Sequence, residues 1–216
     1  MKLVWSAETA SKAYIDTVKS QCELQHESGV AELISAMAAG WNAKCVVETW
    51  SQGGVITTSI GLAVASHHTN GRHVCVVPDE RSRLEYIQAM SQAGMSPEVI
   101  VGEPEEVMDG LTGIDFLVVD SRRKDFARVL RLAKLSNWGA VLVCKNANSR
   151  SGSGFVWSVV EGGSRRLVRS VFLPVGKGLD IAHVATSGGS SGSGKVVGKW
   201  IKHVDRQSGE EHVIRK

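Results

Sequence analysis

From Cys45 to Cys144, short apolar runs alternate with helix-patterned stretches, and this alternation restricts the fold more than any other feature of the chain. Residues 45–49, 73–77, 98–101, 114–119 and 140–144 read as five strands. The stretches between them, 54–68, 80–93, a short one ending at Met108, and 124–135, read as four helices. The strand runs are continuously apolar, which is the pattern of strands buried on both faces. Strand–helix–strand units with right-handed crossovers then predict an α/β fold: an open parallel sheet with helices on both sides. Two further helices precede the first strand. One spans 6–22 with Ser6 as N-cap, and one spans 28–39 with Ala31, Ile34 and Ala38 on its apolar face and Gly40 as its stop.

The pattern changes after Ser149. Residues 155–160 and 166–173 read as strands joined by Glu161-Gly162-Gly163-Ser164, and a last short strand covers 179–184. They add antiparallel strands at one sheet edge. The expected organisation is one domain over 1–185, then a Ser/Gly-rich linker and a short charged tail over 186–216. From Lys195 onward six Lys/Arg face three Asp/Glu, so the tail carries the equivalent of the whole net charge of +3. A basic tail is able to meet phosphate, and it is equally a solvated chain end.

Hydrophobic residues at 43% and charged residues at 22% are ordinary for a globular domain. No apolar run reaches the roughly 18 residues of a membrane span. The opening Met1-Lys2-Leu3-Val4-Trp5 leads into a polar helical stretch, with no apolar signal core and no Arg-rich transit pattern. The expected location is therefore the cytoplasm, with nuclear access. Cys22, Cys45, Cys75 and Cys144 include no CxxC pair, and three of them lie in strand runs. They are expected as buried thiols, without a disulfide or a cysteine metal site.

In an open parallel sheet, ligands bind beyond the carboxyl ends of the strands, where strand order reverses. After the first strand come Glu48, Thr49, Trp50, Gly53 and Gly54; after the second, Asp79 and Glu80; after the third, Gly102 and Glu103; after the fourth, Asp120; after the fifth, Lys145 and Asn146. The glycine pair permits a tight turn, and the helix that follows favours an anion at its N-terminus. Acids at successive strand ends suit the hydroxyls and amino groups of a nucleoside ligand. Structural readings compete: Asp79 or Glu80 as a helix cap, Gly53-Gly54 as a plain turn. Glu48, at the end of an apolar strand, needs a partner wherever it is buried.

The segments Glu32-Leu33-Ile34, Ala43 to Glu48, Asp115 to Phe126, Gly139 to Asn146 and Leu173 to Leu179 resemble, in order and spacing, the cation-dependent O-methyltransferases of the caffeoyl-CoA type. The resemblance covers residues 31–184. The chain from Met1-Lys2-Leu3-Val4-Trp5-Ser6 to Trp200-Ile201-Lys202-His203 is also similar to a plant group of Rossmann-like proteins, the DUF1442 group, which carries no assigned reaction. These resemblances imply the three-layer, Rossmann-like fold of class I methyltransferases, with S-adenosylmethionine as cofactor. They imply cofactor binding by Glu48, Thr49, Trp50, Gly53, Gly54, Asp79, Glu80, Gly102, Glu103 and Asp120, and catalysis by Asp120, Lys145 and Asn146.

The chain departs from the O-methyltransferase pattern at three places. Trp50 stands where that pattern has a glycine, Pro78 where it has the ribose-binding acid, and Lys145 where it has the second metal-binding Asp. An ammonium is unable to ligate a hard cation and repels it, so no metal is expected. Lys145 is expected to pair with Asp120 in the cation's place, with a role as base the alternative. Three functions stay open. The first is a metal-independent methyltransferase of unknown acceptor. The second is a catalytically inactive relative that binds a ligand or a protein. The third is a nucleic-acid binder using Arg122-Arg123-Lys124, Arg128, Arg131, Lys134, Arg165-Arg166, Arg169 and the tail. No nicotinamide fingerprint is present.

Overall fold

The computed structural model describes residues 5–21, 29–147, 157, 165–186, 200–204 and 211–215. Two helices, α1 (Ala7–Gln21) and α2 (Val30–Gly40), lead into β1 (Cys45–Thr49). Then follow α3 (Thr57–Thr69), β2 (Arg72–Val77), α4 (Glu80–Gln92), β3 (Glu98–Val101) and α5 (Pro104–Gly110). Next come β4 (Thr112–Ile114), β5 (Phe116–Asp120), α6 (Phe126–Leu132), β6 (Lys134–Leu135) and β7 (Ala140–Lys145). The last strands are β8 (Arg165–Leu173), β9 (Leu179–Thr186), β10 (Trp200–Val204) and β11 (Glu211–Arg215). Ser6 caps α1 as expected: its Oγ accepts from the Thr9 amide at 3.2 Å.

The main sheet has seven strands in the order β3-β2-β1-β5-β7-β9-β8. Pairs among β3, β2, β1, β5 and β7 are parallel, and β9 and β8 join antiparallel at the edge. The central strands are apolar on both faces because both are covered. Val47, Leu117, Val119 and Leu142 pack with Met108 of α5 and with Val129 and Leu130 of α6. On the opposite face, Val46, Phe116, Val118, Val141 and Val143 pack with Ala13, Ile34, Ala38 and Leu62 from α1 to α3. Further along that face, Trp50, Cys75 and Val77 meet Ile60 of α3 with Tyr86 and Met90 of α4. Three layers result, helices–sheet–helices, as the sequence predicts.

Two local expectations need correction. The run 114–119 is interrupted at Asp115, which turns its carboxylate back to the start of β1. Its Oδ2 accepts from the amides of Lys44 (2.7 Å) and Cys45 (3.0 Å). The helix expected over 124–135 is confined to Phe126–Leu132, because residues 134–135 leave it to pair with β4. Within the tail, β10 and β11 pair antiparallel from Trp200↔Arg215 to Val204↔Glu211. The strand expected at 155–160, apart from Trp157, and the linker beyond residue 186 lie outside the described residues. Cys45, Cys75 and Cys144 are thiols, with Cys75 and Cys144 buried.

Candidate functional site

Chain order reverses between the neighbouring strands β1 and β5, and in an open sheet of this kind the ligand crevice lies beyond the carboxyl ends at such a point. Parallel register decides what points into one side of it. Glu48 lies beside Val118, and Asp120 beside Lys145. Side chains alternate along a strand, so Glu48, Trp50, Asp120 and Lys145 share the face covered by α1–α4, while Thr49 turns to the other face.

Glu48 has no exposed surface. Its Oε1 accepts from Tyr86 Oη at 2.8 Å and faces His73 Nε2 at 3.1 Å. Burial pushes the Glu48 carboxyl up, but the His73 hydrogen bond and charge, with the Lys145 charge, more than offset this and hold it below the usual carboxylate range. Burial, with the Glu48 charge, raises the Tyr86 phenol far above its ordinary value, so it stays a donor. Glu48 Oε2 has no hydrogen-bond partner among the described residues. The residue thus lies beneath the crevice, not on its open wall.

Asp120 is paired differently from the expectation. Its Oδ2 accepts from Arg122 Nη2 at 2.7 Å and from Asn146 Nδ2 at 2.9 Å, and its Oδ1 accepts from the Arg122 amide at 2.9 Å. Arg122, two residues on, folds back, and its fork fits a carboxylate better than a lysine point charge does. Burial raises the Asp120 carboxyl, but Arg122, then Asn146 and Lys145, bring it below its ordinary value. Lys145 is 6% exposed. No hydrogen bond or ion pair from its Nζ is found among the described residues, and its charge acts on Glu48 and Asp120 from further off. Ser121 and Asn146 close the floor: Ser121 Oγ donates to the Asn146 carbonyl at 2.6 Å.

Trp50 fills space between β1 and the helices. It is 3% exposed, and its ring stands edge-on to Tyr86 with centroids 5.4 Å apart. A Cβ at Gly54 would come within 2.6 Å of the indole Nε1 and 2.8 Å of the Ser51 carbonyl, so the turn closes over Trp50 only with glycine there. Gly53 has φ +72, open space where a Cβ would stand, and an amide that donates to Glu85 Oε1 at 3.1 Å. No side chain caps α3, whose first turn follows this loop.

Asp79 caps α4, accepting from the Ser82 amide at 2.7 Å; backbone and side-chain bonds with Ser82 hold its carboxyl low. Glu80 lies beside it, exposed and 3.2 Å from Arg83. The Gly102 amide donates to the Val77 carbonyl at 2.9 Å, and exposed Glu103 precedes α5. The rim therefore gathers the expected residues in two shells. Gly53, Asp79, Glu80 and Glu103 lie at the surface, and Glu48, Trp50 and Lys145 lie beneath. Sequence reasoning missed His73 and Tyr86, for which the only signal was that a buried Glu48 requires partners.

The donor set does not fit a hard cation. The Asp120 oxygens are committed to Arg122 and Asn146, and Lys145 adds positive charge where a ligand oxygen would have to stand. The rim does fit a nucleoside bearing a carboxylate. Exposed acids lie at the end of β2, and the start of α3, which no side chain caps, follows the Gly53-Gly54 turn. Several residues considered for nucleic acid have local partners instead. Arg123 pairs with Asp125 at 2.8 Å, Lys134 with Asp109 at 2.7 Å, and Arg165 donates to the Arg131 carbonyl at 2.7 Å.

Sheet order, layers and strand-end crevice together define a Rossmann-like fold of the class I methyltransferase type. The chain belongs to the family described as protein of unknown function DUF1442, whose model matches residues 1–216. Similar solved structures carry the same fold. A methyltransferase from Geobacter sulfurreducens is 20% identical, with 86% of this chain and 93% of that one covered and a TM-score of 0.58. An SAH-bound methyltransferase from Podospora anserina is 13% identical, with 84% and 89% covered and a TM-score of 0.56. The O-methyltransferase TomG from Streptomyces achromogenes, in complex with SAM, is 18% identical, with 81% and 90% covered and a TM-score of 0.53. No curated protein matches the chain by sequence.

Proposed function

We propose that the chain binds S-adenosylmethionine at the carboxyl rim of β1, β2 and β5 and transfers its methyl group to an acceptor without a metal ion. The observation that carries this reading is the convergence of Glu48, Asp120 and Lys145 on one sheet face at the switch point. Structures of the same fold bound to SAM or SAH support it.

Asp79 and Glu80 would accept from the ribose hydroxyls, and the start of α3 would face the carboxylate of the methionine part. Gly102, Glu103 and the Asp120–Ser121 turn would flank the base. The cofactor supplies an electrophilic methyl on a sulfonium. Glu48 acts from below, holding β1, β2 and α4 together through His73 and Tyr86 so that the rim keeps its shape. Lys145 keeps a positive charge beside the crevice. An acceptor oxygen drawn there would be favoured as the oxyanion, the form that attacks a methyl group. Asn146 and Arg122 hold Asp120 in place as the wall.

Calorimetry with S-adenosylmethionine and S-adenosylhomocysteine tests the first half: heat saturating below millimolar ligand is expected, and none from folded protein discards the reading. Lys145→Met is expected to keep the binding heat and to lose methyl transfer in an acceptor screen.

One observation favours a second reading. The Trp50 indole is buried against Tyr86 beneath the rim, at the position where the O-methyltransferase pattern has a glycine. A relative that kept the scaffold without catalysis would bind the nucleoside and give no turnover with any acceptor.

A further inference from the structure

Lys145 is the last residue of β7, level with Asp120 at the end of β5, and it is 6% exposed. An ammonium carries three N–H donors, and none of those on Lys145 meets an acceptor among the described residues. The two carboxylates nearest in charge have donors of their own. Asp120 is held by Arg122 and Asn146, and Glu48 by Tyr86 with His73 beside it. Both act on Lys145 through charge alone. Glu48 Oε2 and the Trp50 indole nitrogen are sealed from solvent without a partner, whereas Lys145 Nζ is not sealed and keeps access to the rim. An ammonium held nine-tenths buried with its donors unmet is costly, and it calls for an anion from outside the chain.

The same surroundings say which kind of anion. Methyl transfer to oxygen needs that oxygen without its proton. Beside Lys145, no described group is free to take one. Both oxygens of Asp120 are engaged, and Glu48 lies sealed below. His67, His68 and His73 stand at the end of α3 and the start of β2, at the opposite rim. A phenol, with an ordinary pKa of about 10, arrives protonated, whereas a carboxylic acid, with one of about 4, arrives ionised. A cation whose charge is already shared with Glu48 and Asp120 suits the acceptor that needs no deprotonation.

We infer that the methyl acceptor is a carboxylic acid, which Lys145 Nζ holds by a charge-assisted hydrogen bond and the protein converts to its methyl ester. This rests on the methyl-transfer reading above and adds the substrate class to it. One carboxylate oxygen forms a bond to the methyl carbon as the bond from that carbon to sulfur breaks. The electron pair of the broken bond returns to sulfur, leaving neutral S-adenosylhomocysteine. No proton moves, so the step asks for a cation and for no base.

The test uses the full chain saturated with S-adenosylhomocysteine and titrated in a calorimeter with benzoate, cinnamate and hexanoate, then with phenol, benzyl alcohol and benzamide. At least one of the acids is expected to bind saturably, and none of the neutral compounds. Lys145→Met is expected to weaken that acid at least tenfold while leaving S-adenosylhomocysteine binding in place, and Lys145→Arg to restore part of the loss. With S-adenosylmethionine labelled in its methyl group, the product should release its label as methanol in alkali, as an ester does and an ether does not. Heat from S-adenosylhomocysteine with none from any acid overturns this inference alone. So does an alkali-stable product from phenol, or acid binding that Lys145→Met leaves unchanged. No heat from S-adenosylhomocysteine overturns the methyl-transfer reading itself, and the ester with it.

Discussion

Single residues at the β1 end carry disproportionate weight. Glu48 is the only acid among the described residues with no exposed surface, and it serves two donors from two elements. Glu48→Ala strands the Tyr86 hydroxyl and His73 Nε2 without their shared acceptor. A loss of about 3–5 kcal/mol is expected in chemical denaturation, as for a broken buried pair. Glu48→Gln keeps an oxygen in place and should cost less. Gly54→Ala drives a methyl into the Trp50 indole and the Ser51 carbonyl, for an expected loss of about 1–3 kcal/mol. Trp50→Ala in the same chain removes one of the two clashes, so the double variant should be less destabilised than the sum of the singles.

Elements were legible where burial wrote a long pattern. β1, β2, β5 and β7 read directly from their apolar runs, because a strand covered on both faces has no room for polar alternation, whereas the half-exposed edge strand β3 read from its Val-Ile-Val run alone. Asp115 hid the break between β4 and β5. One acid within an apolar run looks like a strand residue, and only its tertiary bonds to the Lys44 and Cys45 amides reveal otherwise. Asp115→Ala should therefore cost about 1.5–3 kcal/mol, the scale of hydrogen bonds to a charged group, read as a shift in the urea midpoint at constant slope. β10 and β11 escaped notice because short charged strands give little hydrophobic signal. At the site, the strand-end acids and glycines were visible in the sequence. Their partners were not: which of Lys145 and Arg122 meets Asp120 is decided by side-chain reach, and no periodicity encodes that.

At the scale of the molecule, the depressed carboxyls of Glu48 and Asp120 tie stability to pH. Each has a folded pKa below its ordinary value of 4.5 or 3.8, so each stabilises the fold above that value. That stability should drain away as pH falls through and below this range. Denaturation curves at steps from pH 7 to pH 3 should show the loss, with a shallower slope for Glu48→Gln. A ligand of the carboxyl rim would act in the opposite direction: S-adenosylhomocysteine at 100 times its Kd would add about 2.7 kcal/mol, read as a higher melting temperature.

The mutual fit of Trp50 and Gly54 also limits how a sequence of this kind is able to change. Shrinking the indole alone leaves a hole beneath the loop, and enlarging the glycine alone forces the loop open. Drift between this arrangement and a glycine-first turn thus has to cross an intermediate weaker than either end point, and the two positions should be inherited as a pair.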